Sequence, residues 1–206
     1  MRTTDVVKPQ DPIAPPYAIH RTNVNLPNFL TVVRILLIPV FVILFSDPTP
    51  DRSLAASIVF VVAAVTDLLD GYLARRHSQV TRLGRLLDPI ADKLLVLSGL
   101  ILLVQFDRVA AIVAILIIAR EVAVTGVRAI AANQGIVLEA ETTGKYKMVV
   151  QVVAIVFLLL EDGVLPAAWY PHEIGTGLLY IALALALYSG NRYLLSFWQQ
   201  SSSKGL

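Results

Sequence analysis

Thr66-Asp67-Leu68-Leu69-Asp70-Gly71-Tyr72-Leu73-Ala74-Arg75, continued by Gly84, Asp88 and Asp92, lies between two long apolar runs and decides how the chain is read. Asp67 and Asp70 are three residues apart, and Asp88 and Asp92 four, so each pair shares one face of a helix. Gly71 and Ala74 fall on or near the first of these faces and keep it free of bulk. A short arginine-bearing connection joins the two helices, which therefore run antiparallel and can place all four carboxylates together.

Outward from this stretch the sequence is strongly apolar. Hydrophobic residues make up 56% of the 206 and charged residues only 16%, against roughly a quarter charged in a soluble domain. The excess is concentrated in Asn28–Phe45, Leu54–Asp67, Leu94–Phe106, Val109–Ala119, Met148–Leu160 and Ile174–Leu195. A helical span needs about 20 mostly apolar residues, a length some of these runs reach only by taking in charged residues at one end. The runs lack the alternation of a membrane barrel. The expected fold is therefore an all-α integral membrane protein of six transmembrane helices, one catalytic domain over residues 26–198. Residues 1–25, with Pro9, Pro12, Pro15 and Pro16, read as a cytosolic tail and interfacial segment with no signal-peptide pattern. Residues 199–206 read as a short cytosolic tail. Pro27 suits a first helical turn, and Pro39 is expected to bend the first span. The absence of cysteine excludes disulfides and thiolate metal sites, and a formal charge of +2 is too small for nucleic-acid binding.

Charge distribution sets the orientation. Of the 17 Lys and Arg, only Arg52 and Arg108 fall on the side opposite the N-terminus, whose third loop reads Glu161-Asp162-Gly163. By the positive-inside rule both termini are cytoplasmic, and so is the aspartate cluster, in a bacterial-type inner membrane. Trp169, Tyr170 and Trp198 near span ends suit interfacial anchoring as well as ordinary packing.

Four acids converging at a membrane surface repel one another unless cations neutralise them, and intramembrane ionisable groups mark functional sites. Oxygen-only ligation selects hard ions, Mg²⁺ or Mn²⁺. Four carboxylates can hold two ions about 3.5–4 Å apart, the arrangement of two-metal phosphoryl chemistry. Gly71 and Gly84 allow a base or phosphate close to the backbone, and the planar fork of Arg75 suits phosphate. Salt bridges from the aspartates to the arginine-rich connection are the plain alternative; they do not explain four acids on two facing helices interleaved with small residues. On physical grounds any of the four acids could serve as the general base.

A second basic group lies on the first, fourth and fifth spans. Arg120 and Glu121 end or interrupt the apolar fourth span, and Arg128 lies two turns on, roughly on the face of Arg120. Arg34 falls inside the first span, while Lys145 and Lys147 start the fifth. Such a cluster suits an anionic ligand, phosphate above all. Snorkelling toward the interface is the other reading, strongest for Lys145 and Lys147.

The pattern D-x₂-D-G-x₂-A-R-x₈-G-x₃-D-x₃-D is met at every fixed position from Asp67 to Asp92. In this the chain resembles the CDP-alcohol phosphatidyltransferases, and the resemblance covers most of residues 25–195. It implies that family's six-helix membrane fold, usually a homodimer, and an active site on the cytoplasmic side. It further implies that Asp67, Asp70 and Asp88 ligate metal, with Asp92 both a ligand of the second ion and the general base. Gly71, Ala74, Arg75, Thr81 and Gly84 would surround the CDP moiety of a CDP-diacylglycerol donor, with Asn28 and Thr31 helping to hold its phosphates. The segments Asn25–Arg34, Ala119–Arg128 and Gly144–Gln151 resemble the branch that uses glycerol 3-phosphate and makes phosphatidylglycerophosphate. Met148 departs from that branch, which often has threonine there. Other acceptors (inositol phosphate, serine, phosphatidylglycerol) would leave the chemistry unchanged. A cation transporter, the alternative from another class, would need its acids near the bilayer midplane on broken helices.

Overall fold

The computed structural model describes residues 26–77, 82–133 and 143–203; within them, the side chains of 26–28, 67–77, 82–89, 92, 132–133, 143–145 and 201–203 lie outside the description. The expected tail at 1–25 also lies outside it. Among the described residues the chain is all-helical: α1 (Leu26–Phe45), α2 (Pro50–His77), α3 (Arg82–Gln105), α4 (Ala111–Asn133), α5 (Thr143–Leu159) and α6 (Pro171–Ser203), with a 3₁₀ turn at Ala167–Trp169 before α6. Pro50 and Pro171 open their helices, where a missing N–H costs nothing. Tyr170, in the left-handed region at φ 46°, makes the corner before Pro171. Pro39 lies within α1, which continues unbroken to Phe45.

Several helices outrun the apolar segments that announced them. α2 continues past Asp67 to His77, α3 begins at Arg82, twelve residues before the apolar run at Leu94, and α4 continues to Asn133. Arg120 and Glu121 thus sit in the middle of α4 and do not end it. These extensions are charged and share one end of the molecule, where they carry the sequence-identified site residues.

Packing follows helical stripes. On α1 the buried positions are Thr31, Arg34, Ile38, Phe41 and Phe45, spaced alternately three and four apart as a packed face requires. α1 packs on α2 and α3, so this stripe faces them. Its aromatic end joins Phe60 and Phe106: Phe41 lies 5.3 Å from Phe60 and Phe45 meets Phe106 edge-on at 5.6 Å, favourable ring geometries. On α2 the stripe is Ser53, Ala56, Ser57, Phe60, Ala63 and Ala64. On α3 it includes Ala91, Leu95, Leu102 and Leu103, with buried Gly99 between. A Cβ on Gly99 would lie 3.2 Å from the Phe60 ring and 3.4 Å from Ile155, so the glycine lets α2, α3 and α5 approach closely. Small residues at the contacts recur on α6, where Gly175, Ala182, Ala186, Ser189 and Gly190 are buried. Small residues at these contacts let the helix backbones approach closely.

The end opposite the site is fastened by charge. Arg108, 6% exposed, donates from Nη1 to the carbonyls of Leu158 (2.8 Å) and Leu159 (3.3 Å). It also pairs with Glu161 at 3.2 Å and with Asp162, and stands over the Phe45 ring at 5.0 Å. Ser53 on α2 donates to the other oxygen of Asp162 at 2.5 Å, and His172 on α6 bonds Glu161 at 2.8 Å. Arg52 similarly donates to the carbonyls of Ile43 and Leu44 at 2.8 and 3.2 Å and pairs with Asp47. The two basic residues expected on this side therefore serve the orphan carbonyls at the ends of α1 and α5. The same contacts bring the α1–α2, α3–α4 and α5–α6 connections to one end, as an up-and-down bundle demands.

The outward faces are apolar on every helix, among them Leu36 and Ile43, Ile58 and Val62, Ile101, Ile112 and Ile115, Val149, and Ile181 and Leu195. Among the described residues one helical segment, Ala167–Gln200, is long and apolar enough by itself to cross a membrane; shorter apolar segments occupy Phe29–Phe45, Lys93–Gln105 and Tyr146–Leu159.

Candidate active site

Asp67, Asp70, Gly71, Ala74 and Arg75 lie on α2, and Gly84, Asp88 and Asp92 on α3. Their side chains, with those of Asn28 on α1 and Lys145 on α5, fall outside the description, as does Thr81 entirely. What the structure does supply is helical register. Continuing the α2 stripe from Phe60, Ala63 and Ala64 at steps of three and four arrives at Asp67, Asp70, Gly71 and Ala74. Running the α3 stripe back from Leu95 and Ala91 arrives at Asp92, Asp88 and Gly84. The signature residues thus occupy the register positions that form the core lower down.

Thr31 and Arg34 prolong the α1 stripe at the same end, exposed by 1% and 0%. Along this face the residues change from phenylalanine to arginine and threonine within four turns, and burying a cation is costly unless it is partnered.

A second group of described residues joins α4, α5 and α6. Arg120 Nη1 donates to Glu121 Oε1 at 2.9 Å, and Lys147 Nζ donates to the same oxygen. Arg120 Nε donates to the Ala186 carbonyl at 2.7 Å and Nη2 to Ser189 Oγ at 2.5 Å. Two cations share one carboxylate, so the group carries a net positive charge. Lys147 is 7% exposed, so it does not snorkel. Arg128, on the same α4 face, stacks its guanidinium over the Tyr193 ring at 4.6 Å, a cation–π contact with α6. Gln151, one turn along α5 from Lys147, is 3% exposed, and its Nε2 has no hydrogen-bond partner among the described residues. The structure therefore brings Arg120 and Lys147 together, stacks Arg128, two turns further along α4, against α6, and places Arg34 on the α1 face that packs on α2 and α3.

A family model described as CDP-alcohol phosphatidyltransferase matches residues 24–188. The chain belongs to this family. Relatives in the CDP-alcohol phosphatidyltransferase family include a CDP-diacylglycerol–glycerol-3-phosphate 3-phosphatidyltransferase of Bacillus subtilis, 41% identical over 187 residues that cover 85% of this chain and 96% of the relative. The protein of the same name from Pseudomonas fluorescens is 41% identical, covering 88% and 94%. That of Rickettsia prowazekii is 37% identical, covering 84% and 95%.

Sequence reasoning did not find Ser189, Ala186 or Tyr193 as neighbours of the basic cluster, nor Glu121 as the shared partner of Arg120 and Lys147. Glu121 lies 26 residues from Lys147 and Arg120 lies 69 from Ser189, and no local pattern links them. The nearest signal was the adjacent Arg120-Glu121 pair inside an apolar helix, a charge pair with no reason to be there unless partnered.

Proposed function

We propose that this chain is an integral membrane enzyme that transfers the phosphatidyl group of CDP-diacylglycerol to glycerol 3-phosphate, giving phosphatidylglycerophosphate and CMP. The observation that carries the reading is the register of α2 and α3. Both packed stripes run, without a break in either helix, into the four aspartates, as a site assembled between facing helices requires. The relatives' names supply the substrates. The outward apolar faces support six membrane-crossing helices, since a monomer in water rarely exposes apolar surface on this scale. Unbroken helices with the acids toward one end suit chemistry on a headgroup better than ion passage. Fifteen of the 17 Lys and Arg assigned to that end orient it, and both termini, to the cytoplasm of a bacterial-type inner membrane.

Asp67, Asp70, Asp88 and Asp92 would hold two Mg²⁺ or Mn²⁺ ions, and their oxygen-only donor set fits these hard cations. Such ions, when bound, supply neutralisation of the pyrophosphate and of the departing CMP. The rest falls to the side chains. Gly71, Ala74, Arg75, Thr81 and Gly84 line the cytidine and phosphate path, with Asn28 and Thr31 at the donor phosphates. Arg120 and Lys147, with Arg128, Lys145 and Arg34, hold the phosphate of the acceptor, to which the net positive charge of the Arg120–Glu121–Lys147 group is suited. Asp92 takes the proton from the acceptor hydroxyl as its oxygen bonds to the phosphorus bearing diacylglycerol and the bond from that phosphorus to the CMP oxygen breaks. Positioning and charge supply most of the rate. A second copy of the chain is the expected partner.

The test is to offer the purified protein, in detergent with Mg²⁺ or Mn²⁺, CDP-diacylglycerol and each acceptor in turn, and to identify the lipid. Phosphatidylglycerophosphate and CMP are expected with glycerol 3-phosphate alone. Product only with inositol phosphate would overturn the acceptor, and no CMP with any acceptor would overturn the transferase.

A further inference from the structure

Arg120 reaches its position through a seat on α6. Ser189 is fully buried; its hydroxyl accepts from Arg120 Nη2 at 2.5 Å and donates to the Ala186 carbonyl at 3.2 Å. That carbonyl also accepts from Arg120 Nε at 2.7 Å. Beside them Gly190 leaves the space the side chain occupies, since a Cβ there would stand 3.2 Å from Arg120 Nε and 3.4 Å from Cγ. The edge of the guanidinium carrying Nε and Nη2 is thereby fixed against α6. Nη1 points along α4 to Glu121 and so toward Lys147. A long side chain with several rotatable bonds is held in one orientation by two hydrogen bonds and a steric fit, all from a helix that carries no other proposed ligand.

We infer that Ser189 and Gly190 are positioning residues for the acceptor site: they set the Arg120 guanidinium so that, with Lys147, it presents a fixed phosphate-binding pair to glycerol 3-phosphate. The inference rests on reading Arg120 as an acceptor ligand. A seat that served only to glue α4 to α6 would affect folding and both substrates alike. One that orients Arg120 acts on the acceptor alone.

The experiment measures KM for glycerol 3-phosphate, KM for CDP-diacylglycerol, kcat and the melting temperature in detergent for Ser189→Ala, Gly190→Ala and Arg120→Lys, and for Ser189→Ala combined with Arg120→Lys. Ser189→Ala removes the acceptor for Nη2, and Gly190→Ala displaces Nε without deleting a bond. Each is expected to raise KM for glycerol 3-phosphate about tenfold, a change worth about 1.4 kcal/mol, with KM for CDP-diacylglycerol within twofold of the parent. On the Arg120→Lys background Ser189→Ala is expected to add less than a twofold change, because residues acting through one contact are not additive. Unchanged acceptor KM in both α6 variants, alongside a raised one in Arg120→Lys, would overturn the inference and leave the proposed function standing. Parallel losses in both KM values and in melting temperature would reduce the seat to packing and overturn it too. No change in acceptor KM for Arg120→Lys would remove the acceptor role of Arg120 and the inference with it.

Discussion

At Glu121 one carboxylate oxygen accepts hydrogen bonds from both Arg120 and Lys147. Replacing it with glutamine removes the charge of a carboxylate that both cations share. A fully buried pair broken on one side loses roughly 3–5 kcal/mol; Glu121 keeps about a quarter of its side chain exposed, so a smaller loss of about 1–3 kcal/mol is expected for Glu121→Gln in thermal unfolding in detergent. Asp92→Asn belongs to the same scale and acts differently. As the proposed base it should lower turnover by roughly 10²–10⁴ while CDP-diacylglycerol still binds; near-normal turnover would move the proton to another of the four acids. The helical placement of the aspartates was legible in the sequence because their spacing encodes shared faces on two consecutive helices. Glu121 and Ser189 were not, since what they do depends on which distant helix packs beside them.

Helix ends and helix contacts set the next scale. Arg108 serves the last carbonyls of α5 while pairing with Glu161 and Asp162, so Arg108→Ala uncovers two carboxylates and a helix terminus together. A loss of about 3–5 kcal/mol is expected. Specific activity per folded molecule should be unchanged, as these contacts lie at the end away from the site. Gly175 tests the α5–α6 contact. A Cβ there would stand 2.7 Å from Leu158 Cγ and 3.2 Å from the Ala154 carbonyl, and the second of these belongs to backbone that cannot turn aside. Overpacking of this kind costs about 1–3 kcal/mol, against a gain of about 1 in helix propensity, so Gly175→Ala should melt at a lower temperature. Apolar runs located the six helices among the described residues but not their ends at the site, because the extensions of α2, α3 and α4 are charged and their pattern resembles that of a connection. The charge rule likewise separated Arg52 and Arg108 from the rest without showing that both are helix caps.

Over the whole molecule, orientation and the meeting of α2 with α3 are the claims that function depends on. A cysteine-free chain allows orientation to be read directly: in intact cells a membrane-impermeant maleimide should label Gly163→Cys on the α5–α6 connection and spare Gln199→Cys near the end of α6 until the membrane is opened. The reverse pattern would invert the topology. The all-helical class and the six helices among the described residues follow from composition and run length, which are properties of the chain as a whole; how α4, α5 and α6 gather the basic residues follows from packing and had to be seen. The most direct measurement is a crystal structure with Mn²⁺ and CDP-diacylglycerol, with data collected at the manganese absorption edge. Two anomalous peaks about 3.5–4 Å apart, between α2 and α3 and within coordinating distance of Asp67, Asp70, Asp88 and Asp92, are the expected result. Carboxylates turned away from one another, with no manganese between them, would contradict it.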